Sequence, residues 1–121
     1  MGQLQRYLNA AEQLGILPII YTGLSSGLRQ CELITLSWAD FHVRYRYILK
    51  GQRLLTLNEK AEHLLKRIPE TASSYVFLNP KTEAPYQLHE FYYLHKKILK
   101  QARLPWVAFR DLQRQCMEVG I

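Results

Sequence analysis

Residues 26–41 read Ser26-Gly27-Leu28-Arg29-Gln30-Cys31-Glu32-Leu33-Ile34-Thr35-Leu36-Ser37-Trp38-Ala39-Asp40-Phe41, and the fold turns on them. Ser25-Ser26-Gly27 offers turn and capping chemistry, with Gly27 able to take a tight backbone turn. A helix is expected from about Leu28 to Leu36, with Cys31, Leu33, Ile34 and Leu36 in its buried positions. Arg29 falls at the start of that helix and Glu32 one turn later, while Leu36 and Trp38 read as core. Beyond Asp40 the period changes. Val43, Tyr45 and Tyr47 alternate with Arg44, Arg46 and Ile48, a strand-like pattern of β-rich composition. Helix gives way to sheet here, so the chain mixes the two.

Working back toward the N-terminus, Leu4, Tyr7, Leu8 and Ala11 recur at helical spacing between Gln3 and Gln13, and Gly15 breaks the pattern. The apolar run Ile16 to Leu24 reads as a buried helix, with Pro18 tolerated in its first turn. Working forward, Lys50-Gly51-Gln52 is a short turn and Arg53 to Leu57 the returning strand. Thr56-Leu57-Asn58-Glu59 matches a capping box, which starts a helix running to Arg67. Pro69 to Ser74 is a polar connection, and Tyr75 to Leu78 is expected as the third strand. Gln87 to Arg103 is strongly amphipathic. Leu88, Phe91, Leu94, Ile98 and Ala102 share one face, and His89, Tyr93, Lys96, Lys100 and Arg103 another. Leu104-Pro105-Trp106 stops it, and a last helix runs from Phe109 to about Glu118. The expected fold is α+β: one mostly helical domain, residues 1–121, with a small three-stranded antiparallel sheet.

With 121 residues, no repeat and no linker, the chain suits one domain. Its 48% apolar and 21% charged residues are globular values and argue against disorder or a fibrous class. Sixteen Lys and Arg against ten Asp and Glu leave a net charge of +6, which points to a polyanionic partner. No apolar stretch reaches the ~20 residues of a membrane span. The opening Met1 to Arg6 lacks a secretory signal, and Arg6 stands where a myristoylation pattern wants Ser or Thr. A cytoplasmic protein is expected. Cys31 and Cys116 are widely separated and read as free, core-facing thiols. His42, His63, His89 and His95 lack metal-site spacing, so neither metal nor cofactor is expected, and His95 reads as a core or boundary residue.

Residues 26–41 resemble the first conserved box of the tyrosine recombinase (phage integrase) family: a small residue-Gly-Leu-Arg, then Glu-Leu, then Leu-x-Trp-x-Asp. The resemblance implies that the Arg29 guanidinium forks onto two phosphate oxygens, aided by a positive helix end. It also implies that Lys50, on an exposed hairpin tip ahead of Arg53-Leu54-Leu55-Thr56-Leu57, donates to the leaving oxygen. At the family's later His-x-x-Arg box the chain has Arg110-Asp111-Leu112-Gln113. Arg110 can bind phosphate but cannot serve as an acid or base near neutral pH, and Gln113 keeps a donor without the charge. Arg114 lies a further ~100° around the helix. The family's nucleophile is a tyrosine well downstream of this box, and all eight tyrosines here precede it.

The resemblance covers about residues 3–118, roughly the first two-thirds of the family's catalytic domain. It implies a truncated or divergent recombinase domain, encoded by a bacterial mobile element or phage. Such a domain would act in DNA integration or recombination without cleaving DNA alone. Its partner would be double-stranded DNA, on which like chains assemble. Arg44, Arg46 and Arg53 of the hairpin, Lys96, Lys100 and Arg103 of the long helix, and Arg114 would form the binding surface. The alternatives are a non-catalytic DNA-binding or protein-interaction module with the same fold, and a helical interaction domain whose charge is incidental.

Overall fold

A computed structural model describes residues 2–42, 46–69 and 71–119. The first helix, α1 (Gln3–Gln13), buries Leu4, Tyr7, Leu8, Ala10 and Ala11. Gly15, at a φ of 75°, reverses the chain into α2 (Leu17–Ser26). That helix is almost wholly apolar, and seven of the eight positions from Leu17 to Leu24 are buried, which makes it the central element. It packs on α1, on α4 (Glu59–Lys66) and on α6 (Phe109–Val119), while α5 (Leu88–Ala102) packs on α1 and on the short α3 (Gln30–Ile34).

Four stretches differ from their sequence expectation. The helix expected over 28–36 is only the five residues of α3, although Leu28 and Leu36 on either side of it are buried as expected. Cys31 is exposed on α3, whereas Cys116 is buried in α6. The sheet is antiparallel in the order β1 (Phe41–His42), β2 (Tyr47–Lys50), β3 (Arg53–Thr56). Its third strand is therefore Phe41–His42 and not Tyr75–Leu78. In the latter segment Tyr75 makes one bridge to Ser37, and the adjacent Val76 and Phe77 both face the core, which the alternation of a strand forbids. Helix α4 is capped by Asn58, whose side chain accepts from the Ala61 N–H at 2.8 Å, because Thr56 is still in β3. Val43, Arg44 and Tyr45 lie outside the described residues.

The inner face of α5 carries Phe91, His95, Ile98, Leu99 and Ala102, and Leu88 in its first turn is exposed. His95 is 3% exposed and has both nitrogens engaged. Because a carbonyl only accepts, Nε2 donates to the Val107 carbonyl at 2.7 Å, and Nδ1 accepts from the Tyr7 hydroxyl at 2.7 Å. Trp106 and Phe109 close over the ring edge-on. Burial holds His95 below the ordinary histidine value, and the Val107 carbonyl offsets this only in part.

An unfolded chain therefore binds a proton at His95 that the native chain refuses. Stability from this site is complete above the ordinary value of ~6.5 and declines as pH falls below it toward the lower native value. Urea unfolding should show a midpoint that drops between about pH 7.5 and about pH 5.5, with a weaker slope in His95→Gln. An unchanged slope in the variant would exclude His95 as its source.

Candidate nucleic-acid interface

The turn carrying Arg29 is built from three directions. Gly27 caps α2 in the left-handed conformation, at a φ of 78°. Ser25 and Ser26 donate back to the Tyr21 and Thr22 carbonyls. From α6, the Gln113 carboxamide donates to the Gly23 carbonyl at 2.9 Å and the Leu28 carbonyl at 2.7 Å. Glycine at 23 suits that approach: a Cβ there would lie 2.6 Å from the Leu33 side chain and 3.1 Å from the Phe109 ring, so the Leu33 side chain would have to shift. Burial of Leu28 then turns its neighbour Arg29 outward, where it is exposed at the start of α3.

The carboxylates of the box are taken by other groups. Glu32 accepts from the Arg29 backbone N–H at 2.9 Å and is ion-paired with the Arg53 guanidinium. Burial would raise the Glu32 carboxyl, but the Arg29 N–H and Arg53 outweigh it and hold the group below the usual carboxylate range. Among the described residues no carboxylate forms an ion pair with the Arg29 guanidinium. With α3 only five residues long and its start capped by Glu32, the guanidinium rather than a helix end supplies the positive potential here.

Lys50 does not project from a hairpin tip. It ends β2 on the same face as the fully buried Ile48, so the pleat aims it inward. Its ammonium donates to the Thr35 carbonyl at 2.8 Å and to Asp40 at 3.2 Å, and Asp40 also accepts from the Ser37 N–H at 3.0 Å. Against a burial that alone would raise it, these donors hold the Asp40 carboxyl low. The exposed tip is Gly51-Gln52. Arg46 is likewise occupied, its Nε 2.7 Å from Glu62. The hairpin is therefore charge-compensated and differs from the open basic surface expected of Arg46 and Arg53; Arg44 lies outside the described residues.

Lys96 and Lys100 on α5 and Arg103 just after it are exposed, and among the described residues none forms an ion pair. Arg110 is exposed in the first turn of α6, and Arg114 lies 3.6 Å from Asp111. Glu32 was expected to hold Arg29 or cap the helix, and it does accept from the Arg29 N–H; sequence reasoning missed its pairing with Arg53, the pairing role of Asp40 and the buttressing role of Gln113. The Ser37-x-x-Asp40 spacing is a capping signal and could have revealed Asp40. Arg6 was missed too; its guanidinium caps the end of α5 through the Ala102 and Arg103 carbonyls at 2.7 and 3.0 Å. Among the described residues no cluster of His, Cys, Asp and Glu could hold a metal, and no helix is long and apolar enough to cross a membrane.

The architecture, mostly helical around a three-stranded antiparallel sheet, is a tyrosine recombinase-like fold. The solved structure of XerA recombinase superimposes with a TM-score of 0.81 over 99% of this chain, at 15% identity. This chain spans about half of that one, covering 48% of its length. No family model matches the sequence, and no curated protein sequence matches it either. At this identity the likeness is one of fold.

Gln113→Leu removes both donors and leaves two carbonyls short of partners, so it should cost about 1–3 kcal/mol in urea unfolding. Amide exchange at residues 28–33 should accelerate beyond the global change. Uniform acceleration along the chain would show that Gln113 does not hold the turn.

Proposed function

We propose that the chain is a DNA-backbone-binding domain of recombination type, in which Arg29 grips a phosphate and Arg110, Lys96, Lys100 and Arg103 extend the contact. The observation that carries this reading is the exposure of Arg29, which among the described residues forms no ion pair, while Glu32 and Asp40 of the same box are paired with Arg53 and Lys50. A planar guanidinium so placed can take two phosphate oxygens at once. Lys50 contributes to a bound phosphate only after leaving Asp40. Like chains assemble along the DNA, in the cytoplasm of a bacterium or phage-infected cell.

Within that reading, Gln113 favours binding without strand cleavage. It stands where the family's second arginine would be, and its donors are spent on the Gly23 and Leu28 carbonyls. Arg110, in the place of the family's histidine, holds charge but moves no proton near neutral pH.

Duplex affinity should fall steeply with salt. Arg29→Ala should weaken binding about tenfold and flatten the log–log salt slope by about one. Incubation with a nicked suicide duplex should give no covalent adduct. Salt-independent binding untouched by Arg29→Ala would refute the DNA reading, and a tyrosine-linked adduct would refute the non-cleaving one.

A further inference from the structure

The exposed aromatic residues of α5 and the following connection are not used by the contacts above. Tyr92 is 46% exposed and Trp106 is 59% exposed, with their ring centroids 5.6 Å apart, and Tyr93 continues the ridge at 5.6 Å from Tyr92. Exposed rings this large are usually left to solvent only at a binding surface. The sequence pattern places cations beside them. Tyr92, Lys96 and Lys100 follow one side of α5 at steps of four residues, and Arg103 follows directly on its C-terminal end.

The ridge is also rigid. Pro105 fixes the backbone ahead of Trp106, and the His95–Val107 hydrogen bond fixes it behind. The Trp106 ring itself rests edge-on against His95 at 5.2 Å. An aromatic face held this way costs little entropy when something stacks on it.

We propose that Tyr92 and Trp106, with Lys96, Lys100 and Arg103, form a stacking site for unpaired DNA bases, so that the protein holds a single-stranded segment as well as duplex. The inference rests on the DNA-binding reading and adds a second class of contact to it. Bases supply flat π faces for the rings, and the strand's phosphates supply the charge that the cations lack. Charge complementarity favours nucleic acid over a protein partner. Glu90 is the one carboxylate in α5, and it is committed to Asn79 and to the Gln87 N–H.

The test uses the whole chain in a Trp38→Phe background, which leaves Trp106 as the reporter. It is titrated at one salt concentration with an oligothymidylate of about 12 nucleotides and with a blunt duplex of equal length. The oligothymidylate should quench Trp106 emission. Tyr92→Ala should weaken single-strand binding about tenfold while changing duplex binding less than about twofold. Trp106→Ala, followed by anisotropy of labelled DNA, should do the same, and Trp106→Phe should restore it. Arg29→Ala should reverse the pattern and weaken duplex binding more. Equal losses on both DNAs, or duplex binding without quenching, would overturn the stacking site and leave the duplex reading standing. Binding to neither DNA would remove both readings. A ridge variant that shifts only the sedimentation of the protein would mark a protein contact and also overturn the proposal.

Discussion

The missing Cβ of Gly23 is the constraint on which the candidate interface depends. The Leu33 side chain of α3 and the Phe109 ring of α6 close on that position so tightly that a Cβ there would force the Leu33 side chain to shift. The close approach brings α6 near enough for Gln113 to reach two carbonyls of the α2–α3 turn. One small residue inside the central helix thus bears on the positions of two neighbouring helices and of the α2–α3 turn. The outward direction of Arg29 follows, because the same turn sends Leu28 into the core.

The hairpin obeys a different rule. Its cations lie against the box, and the carboxylates they meet are partly withdrawn from water: the Glu32 and Asp40 side chains are 14% and 22% exposed. A carboxylate in that setting is costly without a partner, so the two pairs hold together more firmly than surface pairs do. Both carboxyls stay ionised well below neutral pH, since their donors hold them low. The hairpin is fastened to the box by electrostatics, and that fastening decides which cations face solvent. Arg53 and Lys50 are committed, whereas Arg29 is not.

Much of this was legible in the sequence because it depends on local period. The helices α1, α5 and α6, the reversal at Gly15 and the hairpin at Gly51 follow from spacing and turn chemistry alone. The segment Tyr75–Leu78 misled because β-rich composition does not specify a partner: Val76 and Phe77 are buried by the helices around them, not by a ladder. The inward aim of Lys50 was available from its place two residues after Ile48, but an adjacent glycine suggested a tip. The role of Gln113 was not legible, since a carboxamide reveals its acceptors only once α6 has packed on α2. Arg29 stood out because the residues around it form an ordered motif, and its exposure depends on Leu28 next to it.

These constraints also bear on how a fold can persist at 15% identity to XerA recombinase. In this chain the fold rests on the buried surface of α2, the close approach at Gly23 and the Gln113 donor on α6 that reaches the turn. It does not need that donor to be charged. An arginine facing a phosphate and a glutamine facing two carbonyls differ in what they bind, yet either can stand on the same turn of α6. In the proposed reading the glutamine keeps the Arg29 turn in place while giving up one phosphate contact. In that reading, presenting charge to a phosphate and breaking a strand rest on different side chains. Fold likeness settles neither, and only particular side chains bear on each.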